Sequence, residues 1–476
     1  MPYTIIEDFT AGLDLRKMNI TAKPGSLRVC ENAFINAGGE IEKRKALTSV
    51  GTLPGNSDGL AFLNDQVVVF GNDSGASSGL PAGTVYVQLP GVGVIDRVLD
   101  VSPFGNGLYV IVKPVTGANK HYWLPTIAGP AVVVAGQTGS TSRTHASKMY
   151  LGQGRNLKFS AVNAPSDFAG TGSGVIDVTE QDGSSADVIG MELYYSYLAV
   201  FARYAVQVWH MDPDPDLNSL VQSLGNIGLT AQNAVARYGS GDVLFLSDTG
   251  IRSLRARDSS NAAVLNDIGS PVDKLVHTLR QSLTPTIAAR IAAIVDPVSG
   301  QFWMIWGTTI IVLSYYPNSK VSAWSTFTFP RVIDYAVIAN SRLVIRSGDS
   351  LYVYGSVPAG IVAWDPNAPL GLDEVYDATR ITVELPMFDA SKPATDKLFK
   401  GIDVACIGTW DVYLNPDPLA EGAYVRNSTI TSSTYSIQSI PVGMTSTHMG
   451  IKLISESAGY ASMARIALHY SEGVSA

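Results

Sequence analysis

The sequence predicts an all-β fold: a β-propeller of about six or seven blades, with an extended N-terminal arm, one inserted helix and a C-terminal β-sandwich domain. Three observations predict it. Only 16% of the 476 residues are charged, against about a quarter in an average chain, and a helical bundle would need far more Lys, Glu and Arg on its exposed faces. The 45 glycines and 25 prolines accompany an apolar content of 46%, which supplies many turns and a large core and rules out disorder for most of the length. A hairpin-like unit recurs every few tens of residues, the signature of stacked sheets that bury their faces on one another.

Residues 1–55 read as the arm and first strands. Basic groups (Arg16, Lys17, Lys23, Arg28, then Lys43, Arg44 and Lys45) are scattered among polar and apolar residues there, the texture of a chain that hugs a surface. Residues 56–360 read as the propeller. DGLAFLNDQVVVFG (58–71) has two apolar runs around Asn64-Asp65. The stretch 187–211 has three runs divided near Ser196 and Arg203, and 234–254 has three divided by Gly239–Asp242 and Asp248-Thr249-Gly250. The fullest copy is 291–329, whose four runs IAAIV, QFWMIW, IIVLSYY and VSAWSTFTF are separated by turn residues; 333–355 supplies three more. Further candidates lie at 96–124 and 145–162. The separators are residues that tolerate positive φ or bond their own backbone, as hairpin turns require.

One helix is expected near 271–282. Ser270 stands at the N-cap and Pro271 at the first helical position, and Val272, Leu275, Val276 and Leu279 fall on one stripe, with Asp273, Lys274, His277 and Arg280 on the polar side. From about residue 361 the hairpins give way to a Pro- and Asp-rich linker, WDPNAPLGLDE. The runs that follow to residue 476 alternate partially and contain no helical pattern, which suggests a separate sandwich.

The net charge of −8 argues against holding nucleic acid by surface charge. Cys30 and Cys406 offer neither ligand spacing nor a disulfide framework. The first residues lack the basic and apolar regions of a secretion signal. FWMIWGTTIIVLSYY (302–316) is too short for a spanning helix and is broken by Gly307-Thr308-Thr309, so it reads as a core hairpin.

The chemistry-bearing patterns all have turn readings. GNSDG (Ser57) and GASSG (Ser77) match the nucleophile-elbow pattern but do not sit between a strand and a helix. No P-loop and no complete G-x-G-x-x-G occurs, and the six histidines are never spaced as a metal pair. Asp212, Asp214 and Asp216, in DPDPD, form a stiff acidic loop without the glycine of a calcium loop. SDTG (247–250) lacks the aromatic residue of an Asp-box, and Arg252, Arg255 and Arg257, flanked by Asp248 and Asp258, suggest a solvated strand face. No catalytic residue, metal site or cofactor is predicted.

Several phrases together resemble the tail nozzle (hub) proteins of short-tailed bacteriophages, the group of tail tubular protein B and packaged-DNA stabilisation proteins. The opening FTAGLDLRKMNITAKPGSLRVCENAFINAGGEIEKRKAL is similar to their N-terminal arm, with Asn32, Gly38, Gly39, Lys43 and Arg44 on the motif, although Lys45-Ala46 stands where many relatives have Pro-Gly. DVLFLSDTGIRSL, DPVSGQFWMIW, VLSYYPNSKVSAWSTFTF and GTWDVYL are also similar. The resemblance implies a structural virion protein, assembled in the host cytoplasm as a homo-oligomeric ring, usually a hexamer, below the portal and adaptor. Such a ring retains packaged DNA and conducts it during ejection without sequence-specific binding. Its implied partners are the adaptor and the tail fibre, spike or needle proteins, with no membrane span. Arg16, Lys17, Lys43, Arg44 and Lys45 are the expected contacts to neighbouring tail subunits. The competing expectations are a glycan-cleaving or receptor-binding propeller of a phage tail.

Overall fold

A computed structural model describes residues 3–72, 79–181, 187–239, 241–256, 263–355, 374–435 and 440–472. Short apolar runs separated by two turn residues favour antiparallel hairpins whose turns match strand twist. The backbone bears this out: Asn64 and Asp65, Ala146 and Ser147, and Asn340 and Ser341 all take positive φ in successive pairs.

Seven sheets form the propeller among the described residues. Blade one holds Ser57–Leu63, Gln66–Gly71 and Thr84–Gln88, the last two strands being parallel. Blade two holds Ile95–Phe104, Gly107–Pro114, Lys120–Leu124 and Val132–Val133, and blade three Thr141–His145, Lys148–Gln153, Asn156–Phe159 and Gly174–Asp177. Blade four is Gly190–Tyr194, Tyr197–Phe201, Ala205–His210 and Ser219–Gly225. Blade five is Val235–Tyr238, Asp242–Ser247, Gly250–Ala256 and Ala263–Asn266, and blade six Ala292–Asp296, Gln301–Trp306, Thr309–Tyr316 and Val321–Thr328. Blade seven contains Tyr335–Ala339, Arg342–Ser347 and Ser350–Tyr354, completed by Leu47–Thr52 running antiparallel to its outer strand. The first strand of each blade packs against that of the next, and the first strand of blade seven returns to that of blade one. The expected six or seven blades are therefore seven, and an early strand closes the ring.

Apolar clusters fill the gaps between blades, as facing sheets demand. Phe201 of blade four meets Phe245 of blade five with ring centres 5.1 Å apart. Trp303, fully buried in blade six, receives Phe327 and Tyr354 edge-on at 5.4 and 4.7 Å. Burying such a side chain contributes about 2–3 kcal/mol. The 302–316 stretch is a hairpin inside blade six, and no helix among the described residues is long and apolar enough to cross a membrane.

Blade six does not end at its fourth strand. Its sheet continues through Val29–Glu31, Ile381–Glu384, Gly450–Ser455, Trp410–Asn415 and Val425–Ile430 to make nine strands. The continuation is one layer of the C-terminal sandwich. The other layer is Ala33–Ile35, Ile41–Lys43, Ser462–Glu472, Lys397–Ile407 and Ile440–Ser446, with Tyr3–Ile6 on Ser462–Glu472. Val321 and Ala323 of blade six join the sandwich core with Ile35, Ile41, Val404, Leu453 and Ile466.

This corrects the expected organisation. The opening residues are more than a surface-hugging arm: residues 7–28 are at least partly exposed at most positions, but four of the opening strands lie inside the sandwich, and the fifth completes blade seven. Ala33, Phe34, Ile35 and Ile41 are all buried, and three-residue strands that need a remote partner give no periodic signal of their own. The expected sandwich of 361–476 accordingly includes residues near 3–43, while the linker residues 361–373 lie outside the described residues.

The expected helix appears as a 3-10 turn (Ser270–Val272) followed by α1 (Asp273–Gln281). Val272 and Val276 are buried, and Leu275 and Leu279 pack on the same cluster, so the stripe is as read. Ser270, by contrast, does not cap the helix; Gly269 precedes the 3-10 turn, and no side-chain cap bond forms. A short second helix, α2 (Pro285–Ala288), follows.

Candidate functional site: the axial channel

The innermost strands bring one set of side chains to the ring axis, because alternate residues of a strand share a face. A cavity of about 330 Å³ lies among Leu60, Arg97, Val98, Asp100, Asn233 and Tyr335. A second, of about 410 Å³, continues past Arg143, Glu192, Gln232 and Arg237, sharing Asp100, Asn233, Ala293 and Ala336 with the first. A third, of about 440 Å³, lies towards Asp58, Asp96 and Arg346, and shares Arg97, Arg290, Asp334 and Tyr335 with the first.

The polar groups on this axis are occupied by neighbouring blades. Asp58 accepts from the Gly59 amide of its own strand at 2.7 Å and from the Val98 amide of blade two at 3.2 Å. Burial raises its carboxyl pKa, with the Gly59 amide and Arg346 pulling the other way. Asp100 accepts from the Ser142 amide of blade three at 2.6 Å and from the Thr141 hydroxyl at 3.2 Å. Burial raises this carboxyl too, and nearby Arg143 opposes the shift. Arg143 reaches blade four, donating to the Met191 carbonyl at 3.0 Å and to Glu192 at 2.5 Å. Gln232 spans to the carbonyls of Leu99 and Ser140 at 3.1 and 2.6 Å. Arg346 is buried and donates to the Gly59 carbonyl at 3.0 Å. The bonds to the Val98 and Ser142 amides and to the Leu99, Ser140, Met191 and Gly59 carbonyls pair backbone groups at blade boundaries, where no ladder serves them.

The residues singled out in the sequence lie elsewhere. Lys43 and Arg44 are buried. The Lys43 ammonium donates to the carbonyls of Asp377, at 2.6 Å, and Ser457. Arg44 donates to Asn32 Oδ1 at 3.1 Å and to the Thr379 hydroxyl at 2.8 Å. Both are sandwich pins, which corrects their expected role as docking groups. Lys45 pairs with Glu374 at 2.7 Å. Arg16 forms a two-bond pair with Asp14, at 2.9 and 2.7 Å; it and Lys17 are exposed.

Ser57 is buried, and its hydroxyl donates to the Pro54 carbonyl at 2.6 Å. Ser77 of GASSG lies outside the described residues, as do Arg257 and Asp258. In DPDPD the Asp212 carboxylate accepts the Asp214 amide at 2.8 Å, and the Asp214 carboxylate accepts the Asp216 amide at 3.2 Å. Arg252 overturns the reading of a solvated strand face: it is buried, and it grips Asp273 of α1 through two bonds of 2.8 and 2.9 Å. Asp248 of SDTG likewise holds Arg203 at 2.8 Å and Arg280 of α1. Among the described residues no three His, Cys, Asp or Glu side chains converge as a metal ion would require. Cys30 and Cys406 are free and buried, and burial pushes the Cys30 thiol up to about 12.

Sequence reasoning did not single out Asp58, Asp100, Arg143, Glu192, Gln232 or Arg290. For Asp100 and Glu192 the available signal was a charge inside an otherwise apolar innermost run, as in VLDV and MELYY; the polar run TSRTH around Arg143 gave none.

No protein-family model matches the chain, and no curated protein is similar to it. Solved structures do match over most of their lengths. The Neurospora crassa Pan2 WD40 domain is 10% identical, with a TM-score of 0.41 over 70% of this chain and 99% of that one. BamB from Moraxella catarrhalis is 12% identical, at 0.37 over 65% and 97%. A chain of the mitotic checkpoint complex is 15% identical, at 0.38 over 66% and 94%. The closed ring of seven sheets makes the chain a β-propeller protein.

Proposed function

We propose that this chain is a non-enzymatic structural subunit of a short-tailed phage virion: a tail nozzle (hub) protein that assembles as a ring below the adaptor, retains packaged DNA and conducts it during ejection. The observation that carries the reading is the nine-stranded sheet that passes from blade six into the sandwich, joined where Glu31 pairs with Thr326. Domains joined by a linker move by default, whereas a shared ladder and a shared core transmit load without a hinge. The resemblance of the N-terminal motif supports the same reading.

The axial cavities are of small-molecule size, so a DNA conduit would lie between copies rather than along one propeller. The net charge of −8 suits such a conduit, since like charge keeps phosphates from adhering to its wall. With Lys43 and Arg44 buried, Arg16 and Lys17 are the basic pair left for docking.

Mass measurement of the purified protein, alone and with adaptor, tests the proposal: a closed ring supports it, while a lone chain in both conditions opposes it. Release of sugars from host polysaccharide would favour the glycan-cleaving alternative. Reversing both charges (Arg16→Glu with Lys17→Glu) should weaken adaptor binding about tenfold or more without lowering the melting temperature; unchanged binding removes these residues from the interface.

A further inference from the structure

Between α1 and blade six the chain leaves the outside of the propeller and crosses towards its axis. Its outer end is fastened by the Arg252–Asp273 pair and by Arg280 on Asp248. Its inner end reaches the channel mouth, where Ala289 and Arg290 line the inner cavity. Two polar contacts hold it there. Arg97 of blade two donates to the Ala289 carbonyl, and Arg290 pairs with Asp334, at the start of blade seven, at 2.9 Å. Arg97, Arg290, Asp334 and Tyr335 line both the inner cavity and the mouth cavity, so the latch is the partition between them.

Its only apolar hold is through Leu283 and Ile287, both half-buried on the core cluster of blades four to six. Residues 281, 282, 284, 285, 286 and 289 are exposed, and Ile287 is only half-buried, facing Gly307. An element held by two half-buried apolar side chains and half-buried polar anchors opens locally more readily than the fully buried strands around it. Chain resumes a firm hold only at Ile291, which is buried, and Ala293, whose amide donates to the Asn233 carbonyl at 2.7 Å.

We propose that residues 282–290 are a latched strap that seals one mouth of the propeller channel and swings outward when the Arg97 and Arg290 contacts are released, joining the two cavities. The strap requires only the propeller described above, and neither ring assembly nor DNA passage.

Trypsin cleavage after Arg290 in the native full-length protein reads the open state directly, because cleavage follows the open population when closing is fast. Asp334→Asn keeps an acceptor for the Gly348 amide, which donates to this side chain at 2.6 Å, but removes the charge that holds Arg290. It and Arg97→Gln should each speed cleavage after Arg290 about tenfold, leaving cleavage after the exposed Arg155 unchanged. Rates after Arg290 that stay at the wild-type value in both variants, or that already equal those after Arg155 in the wild type, overturn the proposal. Hydrogen exchange of the wild type provides a reading independent of any variant. Raising salt from about 0.05 to 0.5 M should speed the amides of 286–290 but not those of Gln301–Trp306 in blade six, since screening weakens a part-exposed ion pair and leaves a buried ladder unchanged; equal or absent changes in the two segments overturn it.

Discussion

Buried polar side chains in this protein work as fasteners, and their protonation is linked to folding. Lys397 is fully buried with its ammonium on the carbonyls of Lys392, Thr395 and Thr447, at 2.6, 2.8 and 3.0 Å. Lys148 donates to the Gly172 carbonyl at 2.7 Å and sits over the Phe159 ring. His121 of blade two shows the titration consequence. It is buried against Tyr109, whose hydroxyl lies 3.1 Å from Nδ1, and burial lowers its pKa from 6.5 to about 4. Between those values the unfolded chain binds the extra proton, so stability is full above about 6.5 and is lost as pH falls towards 4, by up to about 3 kcal/mol. Urea unfolding between pH 7 and 4.5 should show that decline, and His121→Gln should flatten part of it. An equal decline in the variant would place the acid sensitivity elsewhere.

At the scale of elements, the inserted helix depends on a strand that is not its neighbour in sequence. Arg252 is buried while its partner Asp273 is partly open, and removing one member of such a pair strands the other charge. Asp273→Ala should therefore cost about 3 kcal/mol in urea unfolding, and Arg252→Met added to it should recover part of the loss. A loss under 1 kcal/mol would mean that Asp267, 3.0 Å from Arg252, suffices alone. Gly250 belongs to the same joint. It sits at φ +134°, and a Cβ there would lie 1.9 Å from the Asp273 carboxylate, so the turn glycine of SDTG makes room for the helix anchor.

For the whole molecule, the decisive feature is that its first residues complete both of its parts. Leu47–Thr52 covers the outer strand of blade seven, and Val29–Glu31 links blade six to the sandwich. A fragment of residues 56–360 would expose the buried Leu351 and Val353 on an unpaired edge, the situation that drives strands to pair between molecules. That fragment is expected to aggregate on size exclusion, whereas the full chain should unfold in one calorimetric transition. A soluble, folded fragment, or two resolved transitions, would show that the parts are independent.

Most strands of the propeller could be read in advance because a hairpin is a local object: alternation, run length and turn residues all lie within some twenty positions. The stripe of α1 was legible for the same reason. By itself the sequence determined the all-β class, the recurring hairpins and the turn role of SDTG and DPDPD. Tertiary structure alone decided that the ring has seven blades, that Lys43, Arg44 and Arg252 are interior, that the opening strands belong to the sandwich, and that Arg290 reaches the channel mouth. Each of those depends on a partner tens to hundreds of residues away. A charge reads as exposed in sequence until the carbonyl or carboxylate that solvates it is brought from a distant part of the chain.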